Sequence, residues 1–141
     1  MIDKDGYYLW KKGEVYPFNK YFSSAEFSCK CTHKECVDQK VSKILIDKLT
    51  ELREAIQEPL KISSGFRCSA HQDDVRKSEV STVVAKNSQH EVGNAADVVP
   101  TRTPASQLEQ VAARFFDAIG VASTFIHVDL RTDKKNRRWV Y

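Results

Sequence analysis

The chain predicts an α+β domain. Two stretches carry apolar residues at helical spacing, several short strand-like runs are bounded by turn residues, and the late connections look hairpin-like. At 141 residues the chain is one domain long and can bury a single core without staples. Hydrophobic residues at 41% and charged residues at 29% are the proportions of an ordinary folded domain. No internal repeat is visible. The expected arrangement is a single domain over residues 1–141, a small antiparallel sheet with flanking helices.

Residues 1–40 are aromatic and irregular, with Tyr7, Tyr8, Trp10, Tyr16, Phe18, Tyr21, Phe22 and Phe27. They predict a wrapping segment of short strands or turns whose rings mostly pack on the core. Val41, Ile44, Leu45, Leu49, Leu52 and Ile56 recur at three- and four-residue steps and predict a helix. Asp38 or Ser42 is its candidate cap, and Pro59 lies beyond its end. Residues 60–63 alternate as a short strand, and Ser64-Gly65 turns the chain. Residues 68–87 are polar and lack glycine, which predicts a long loop of the kind that borders an active site.

Residues 95–99 read as a strand ended by Pro100. Thr103 as cap and Pro104 in the first turn predict a second helix. Leu108, Val111, Ala112, Phe115, Phe116 and Ile119 supply its apolar face, and Gly120 is its expected end. Residues 125–130 predict a third strand, and residues 139–141 a last one.

The net charge of +3 is too mild to argue for nucleic acid. Lys134, Lys135, Arg137 and Arg138 form a more basic cluster, a solvated turn that also suits an anionic surface such as a cell wall. No apolar run approaches the roughly 20 residues of a membrane span, so no membrane insertion is expected. The first residues lack a basic region followed by an apolar one, so the expectation is cytoplasmic synthesis without a cleaved signal. Cys29, Cys31 and Cys36 cluster, with Cys68 far along the chain. Their spacing is not the paired one of common zinc sites. Thiols packed as small hydrophobes, or one disulfide, are expected ahead of a structural zinc site using these thiols, with or without His33.

The chemistry concentrates in Ser88-Gln89-His90, Gly93 to Asp97, and His127-Val128-Asp129. Two imidazoles and a carboxylate can hold a zinc ion with one position left for water. In a strand over residues 125–130, Ile126, Val128 and Leu130 face the core, so His127, Asp129 and Phe125 share the other face. Between His90 and Asp97 the chain must turn, and Gly93, Ala95 and Ala96 permit that and a close approach. Ser88 is placed to orient His90. The same residues also read as a buried histidine, a loop aspartate and an unrelated strand.

Ser63-Ser64-Gly65-Phe66-Arg67-Cys68, the S-x-H-x6-D block from Ser88 to Asp97, and Phe125-Ile126-His127-Val128-Asp129 together resemble the M15 peptidases. These are zinc D-alanyl-D-alanine carboxypeptidases and related peptidoglycan peptidases, including phage endolysins. The likeness spans residues 27–141, because the early F-S-C-K-C and the closing W-V-Y look like its short-domain subgroup. It implies a hedgehog/DD-peptidase-like fold, one catalytic zinc ion, and His90, Asp97 and His127 as its ligands. Arg67 matches an arginine that binds a substrate carboxylate or the developing oxyanion, and Ser88 falls in the substrate-binding stretch. Many relatives carry an acid three residues before the last histidine ligand; here that position is Thr124. Asp129 is therefore the candidate general base or a partner that orients a ligand, with Glu91 the weaker choice. The loop after Cys68 also lacks the glycines expected of the family; His71 on it is a further cleft candidate.

The implied function is hydrolysis of amide bonds in peptidoglycan stem peptides, as a carboxypeptidase or endopeptidase. The implied setting is the bacterial cell wall, reached as a phage-type lysin released by another factor or as a wall-remodelling enzyme. A monomer is expected, with no nucleic-acid partner. The alternative is a non-catalytic, zinc-stabilised module that binds cell wall or protein. A zinc finger with a nucleic-acid-binding tail is disfavoured, since no second ligand pair and no aromatic-basic platform accompany the cysteines.

Overall fold

The computed structural model describes residues 3, 5–68, 89–131 and 137–140. Strand β1 (Tyr7–Lys11) pairs antiparallel with β2 (Asp38–Ser42). The short helix α1 (Ser24–Phe27) lies between them in sequence, and α2 (Lys43–Ile56) follows β2 directly. Then come β3 (Leu60–Ser64), a 3-10 turn over Gln89–Val92, β4 (Ala95–Pro100) and helix α3 (Ala105–Ala112). Strands β5 (Ala118–Val121), β6 (Ile126–Asp129) and β7 (Arg137–Val140) complete the fold. The architecture is α+β, as predicted. The larger sheet has the order β3-β4-β6-β5-β7, antiparallel except for the β5–β7 pairing.

One apolar core organises these elements. Leu45, Ile46, Leu49 and Leu52 of α2 and Leu108 and Ala112 of α3 pack with Ala96, Val98, Ile119, Ile126 and Val128 of the sheet. From the aromatic first segment, Trp10, Phe22 and Phe27 are buried in the same core. Among the described residues no helix is long and apolar enough to cross a membrane. Ser42 caps α2, its hydroxyl accepting the Ile44 N–H at 3.2 Å, while Asp38 opens β2.

The second helix is shorter than its apolar spacing predicts. It stops at Ala112, and residues 118–121 form a central strand instead. Phe116 and Ile119 do reach the core, but from a turn and a strand, so their spacing mimicked a helix face. Nor does Thr103 cap α3. That position is Pro104, and Thr103 points to Glu58.

Glu58 is 2% exposed and staples the end of α2 to the β4–α3 connection. Its carboxylate accepts the Arg102 N–H at 2.6 Å, the Thr103 N–H at 3.0 Å, the Thr101 hydroxyl at 2.6 Å and the Thr103 hydroxyl. Hydrogen bonds from Thr101 and Thr103 outweigh burial and pull its pKa down to about 2. Glu58→Ala is expected to cost about 2–3 kcal/mol of stability at neutral pH, because buried donors lose a charged acceptor. A depressed carboxylate contributes fully above its ordinary value of 4.5 and loses that contribution as pH falls toward about 2. Urea titrations across that window should therefore show the two proteins converging in acid. A constant gap would remove Glu58 from the acid sensitivity of the fold.

Candidate metal centre

The sheet register builds the site. Antiparallel pairing puts Asp97 of β4 directly opposite His127 of β6, and Ala95 opposite Asp129. Next to His127 on β5 stands Gly120, and beyond it Trp139 of β7; on the other side Ser64 of β3 faces Asp97. Side chains alternate along strands, so this row projects from the face opposite Ala96, Val98, Ile126 and Val128. His127 and Asp129 thus share a face, as alternation predicted. A Cβ on Gly120 would lie 2.4 Å from Trp139 Nε1, so only glycine lets the indole lie across the strand, its ring 5.3 Å from that of His127.

His90 enters from the 3-10 turn, and Gly93 at φ 76° reverses the chain toward Asp97. His90, Asp97, His127 and Asp129 are all buried. One oxygen of Asp97, Oδ1, lies 3.3 Å from His90 Nε2 and 3.0 Å from His127 Nδ1. Its other oxygen, Oδ2, accepts from Arg67 Nη2 at 3.1 Å, and Arg67 Nε donates to Ser64 Oγ at 2.9 Å. The backbone N–H of Arg67 also donates to the His90 carbonyl at 3.1 Å.

The outward ring nitrogen of His90 fixes its tautomer. His90 Nδ1 is 2.7 Å from the Gly65 carbonyl, which can only accept, so Nδ1 carries the hydrogen and Nε2 presents a lone pair. His127 lies between two carboxylates, with Nε2 2.8 Å from Asp129 Oδ2 and Nδ1 3.0 Å from Asp97 Oδ1; a metal held on Nδ1 would leave its hydrogen outward on Nε2. Two imidazole nitrogens and a carboxylate oxygen then face one another at close range in a buried place. The donor set suits zinc. The three ligand atoms lie within 4.8 Å of one another.

The two imidazoles differ in their electrostatics. Burial pulls the His90 pKa down, favouring the neutral ring that a metal needs. For His127 burial also disfavours charge, but hydrogen bonds to Asp129 and Asp97 outweigh it and raise the pKa. Burial opposes ionisation of Asp97 too, yet His90 and His127 hold its pKa far below the ordinary range. Asp129 is lowered to about 2, because His127 and Arg131 overcome its burial. Arg131 grips it with Nε at 3.0 Å and its backbone N–H at 2.9 Å on Oδ1, and with Nη2 at 2.8 Å on Oδ2.

The predicted ligands are therefore brought together, with Arg67 on their carboxylate and Asp129 behind His127. Ser88 and His71 lie outside the described residues, as do Lys134, Lys135 and Tyr141. The carbonyl that orients His90 belongs to Gly65. Thr124 is exposed, and Glu91 is part-buried in the 3-10 turn beside His90. Arg138 of the basic cluster pairs with Glu109 at 3.4 Å. Arg131 and Trp139 were missed. Continued alternation from His127 through Asp129 would have pointed to Arg131. Trp139 depends on the β5–β7 register, which no local pattern encodes.

A buried His–Asp–His set built on the sheet and backed by an arginine is a candidate metal centre. The chain belongs to the M15 peptidases: the family model described as Peptidase M15 matches residues 20–129, more than half of its length. It is accordingly a metallopeptidase by family. No curated protein matches the chain.

Proposed function

We propose that the protein is a zinc peptidase that hydrolyses amide bonds in peptidoglycan stem peptides, acting at the bacterial cell wall. The observation that carries the zinc reading is the buried convergence of His90 Nε2, Asp97 Oδ1 and His127 Nδ1. The peptidoglycan substrate rests on the resemblance of the Arg67, His90–Asp97 and His127 motifs to wall-active members of the family. When bound, zinc supplies Lewis-acid activation of a water and of the scissile carbonyl.

The chain's own groups divide the remaining work. Arg67 pins Asp97 Oδ2, which turns Oδ1 toward the two imidazoles. From that position its guanidinium suits a substrate carboxylate, or negative charge developing on the carbonyl oxygen. Asp129 is a candidate for the general base, but His127 and Arg131 engage both its oxygens and its side chain is 0% exposed. These contacts favour a positioning role, orienting His127 and raising its basicity as a ligand.

The exposed Thr124, where relatives carry an acid, favours a second reading: a module that keeps zinc for stability and binds wall or protein without turnover. One experiment separates the two. Purified murein and synthetic stem peptides are incubated with the protein, with and without a chelator, and fragments are identified by mass spectrometry. Zinc-dependent cleavage is expected, and the fragment masses name the bond. Cleavage that survives complete zinc removal would overturn the zinc mechanism. Stoichiometric zinc with wall binding and no fragments would establish the binding module.

A further inference from the structure

Beside Arg67 in the chain, Cys68 meets three thiols from the first segment. Its Sγ lies 3.6 Å from that of Cys31 and 3.8 Å from that of Cys29. With Cys36 included, the four sulfurs lie within 4.8 Å of one another. Cys29 and Cys36 are buried, whereas Cys31 and Cys68 are part-buried and leave an entry path.

These spacings discriminate between a disulfide and a metal. A disulfide needs sulfurs about 2.05 Å apart and in one exclusive pair. Here Cys68 stands almost equally far from two partners, so no pair is selected. A tetrahedral zinc–thiolate site, with bonds of about 2.3 Å, has sulfur–sulfur edges of about 3.8 Å. The separations of Cys68 from Cys31 and from Cys29 fall on that edge length.

The surroundings supply what thiolates require. Cys29 Sγ accepts the Cys68 backbone N–H at 3.4 Å, Cys31 Sγ accepts from the Lys12 ammonium at 3.4 Å, and Cys36 Sγ accepts from Gln39 Nε2 at 3.4 Å. Gln39, itself 2% exposed, also takes the Cys29 N–H on Oε1 at 2.6 Å, so one amide clasps two members of the cluster. Donors aimed at sulfur stabilise negative charge and orient ligands. Lys12 adds a cation where four thiolates on a divalent ion would leave net negative charge. The only buried apolar side chain packed with the cysteines, among the described residues, is Phe66. That is too little core to hold this corner by burial alone.

We propose that Cys29, Cys31, Cys36 and Cys68 bind a second, structural zinc ion. It ties the first segment to the backbone that carries Arg67. Four sulfur–zinc bonds form, and each thiol that is protonated beforehand releases its proton to solvent. This zinc is independent of the His–Asp centre and of the proposed activity.

The test is metal content and spectroscopy on the full chain purified without chelator. Two zinc ions per chain are expected in the unaltered protein, and one in His127→Ala. Loading His127→Ala with cobalt(II) should give an intense near-ultraviolet thiolate charge-transfer band, absent in a further Cys36→Ser change. Should Cys36→Ser fail to fold, a mercurial titration of the unaltered protein substitutes for it. It should release one zinc ion as four thiols react, before the His–Asp metal is lost. Disulfides found by intact mass, iron in the sulfur site, or metal-free folded His127→Ala with four freely reacting thiols would each overturn the proposal.

Discussion

His127→Ala is expected to abolish peptidase activity while leaving the protein folded. Catalytic zinc sites use three protein ligands, and losing one removes the metal along with the chemistry it supports. A fall of about 10³-fold or more in kcat/KM is expected, equivalent to at least about 4 kcal/mol of transition-state stabilisation. The fold should tolerate the change. Arg131 still neutralises Asp129, and Arg67 still neutralises Asp97. Asp97→Ala is a harsher replacement, because it takes a paired carboxylate from the Arg67 guanidinium, whose side chain is 14% exposed. Removing one partner of a buried pair typically costs about 3–5 kcal/mol. Comparing the two variants by denaturation and by metal content thus separates loss of the ion from loss of the scaffold. Equal activity in His127→Ala and the unaltered protein would remove the His–Asp centre from the reaction.

The parts of this molecule that local pattern governs were legible in the sequence. The period of Leu45, Leu49 and Leu52 marked α2, and alternation correctly set His127 and Asp129 on one face of β6. The missed features depend on long-range register or packing. Residues 113–119 continued a helical spacing, but the core they enter is shared by a turn and a strand, so the same burial arises from a different backbone. Gly120 looked like a helix stop and is instead the gap that admits Trp139. Likewise, the cysteines looked unpromising as a metal site because the cluster's fourth member is Cys68, delivered by β3 and the turn after it. His33 is not part of that sulfur cluster, and its Nδ1 lies 3.7 Å from Glu35 Oε1. The Asp97–His127 pairing is also a matter of register. Motif resemblance, rather than periodicity, brought those two residues together before the fold was known.

Asp129→Ala should distinguish a proton carrier from a residue that positions a ligand. Asp129 contacts His127 through the ring nitrogen turned away from Asp97, and its other bonds go to Arg131. A carboxylate in that place fixes the imidazole tautomer and strengthens it as a ligand. Losing such a partner typically lowers metal affinity about 10–100-fold. The expected phenotype is a large activity loss at trace zinc that is substantially restored when zinc is raised to saturation. Asp129→Asn is the companion variant. Its amide can preserve shape through the carbonyl oxygen, yet it loses the charge, so its zinc affinity should fall between those of the other two proteins. If Asp129 carries the proton in the reaction, both variants would bind zinc normally and stay inactive at any concentration. The zinc dependence of kcat/KM, measured alongside direct zinc binding, decides between them. Arg131 offers an independent check, because it touches Asp129 and not the ligand atoms. Arg131→Ala should reproduce the zinc-rescuable loss in milder form, since His127 keeps its carboxylate but that carboxylate loses its anchor.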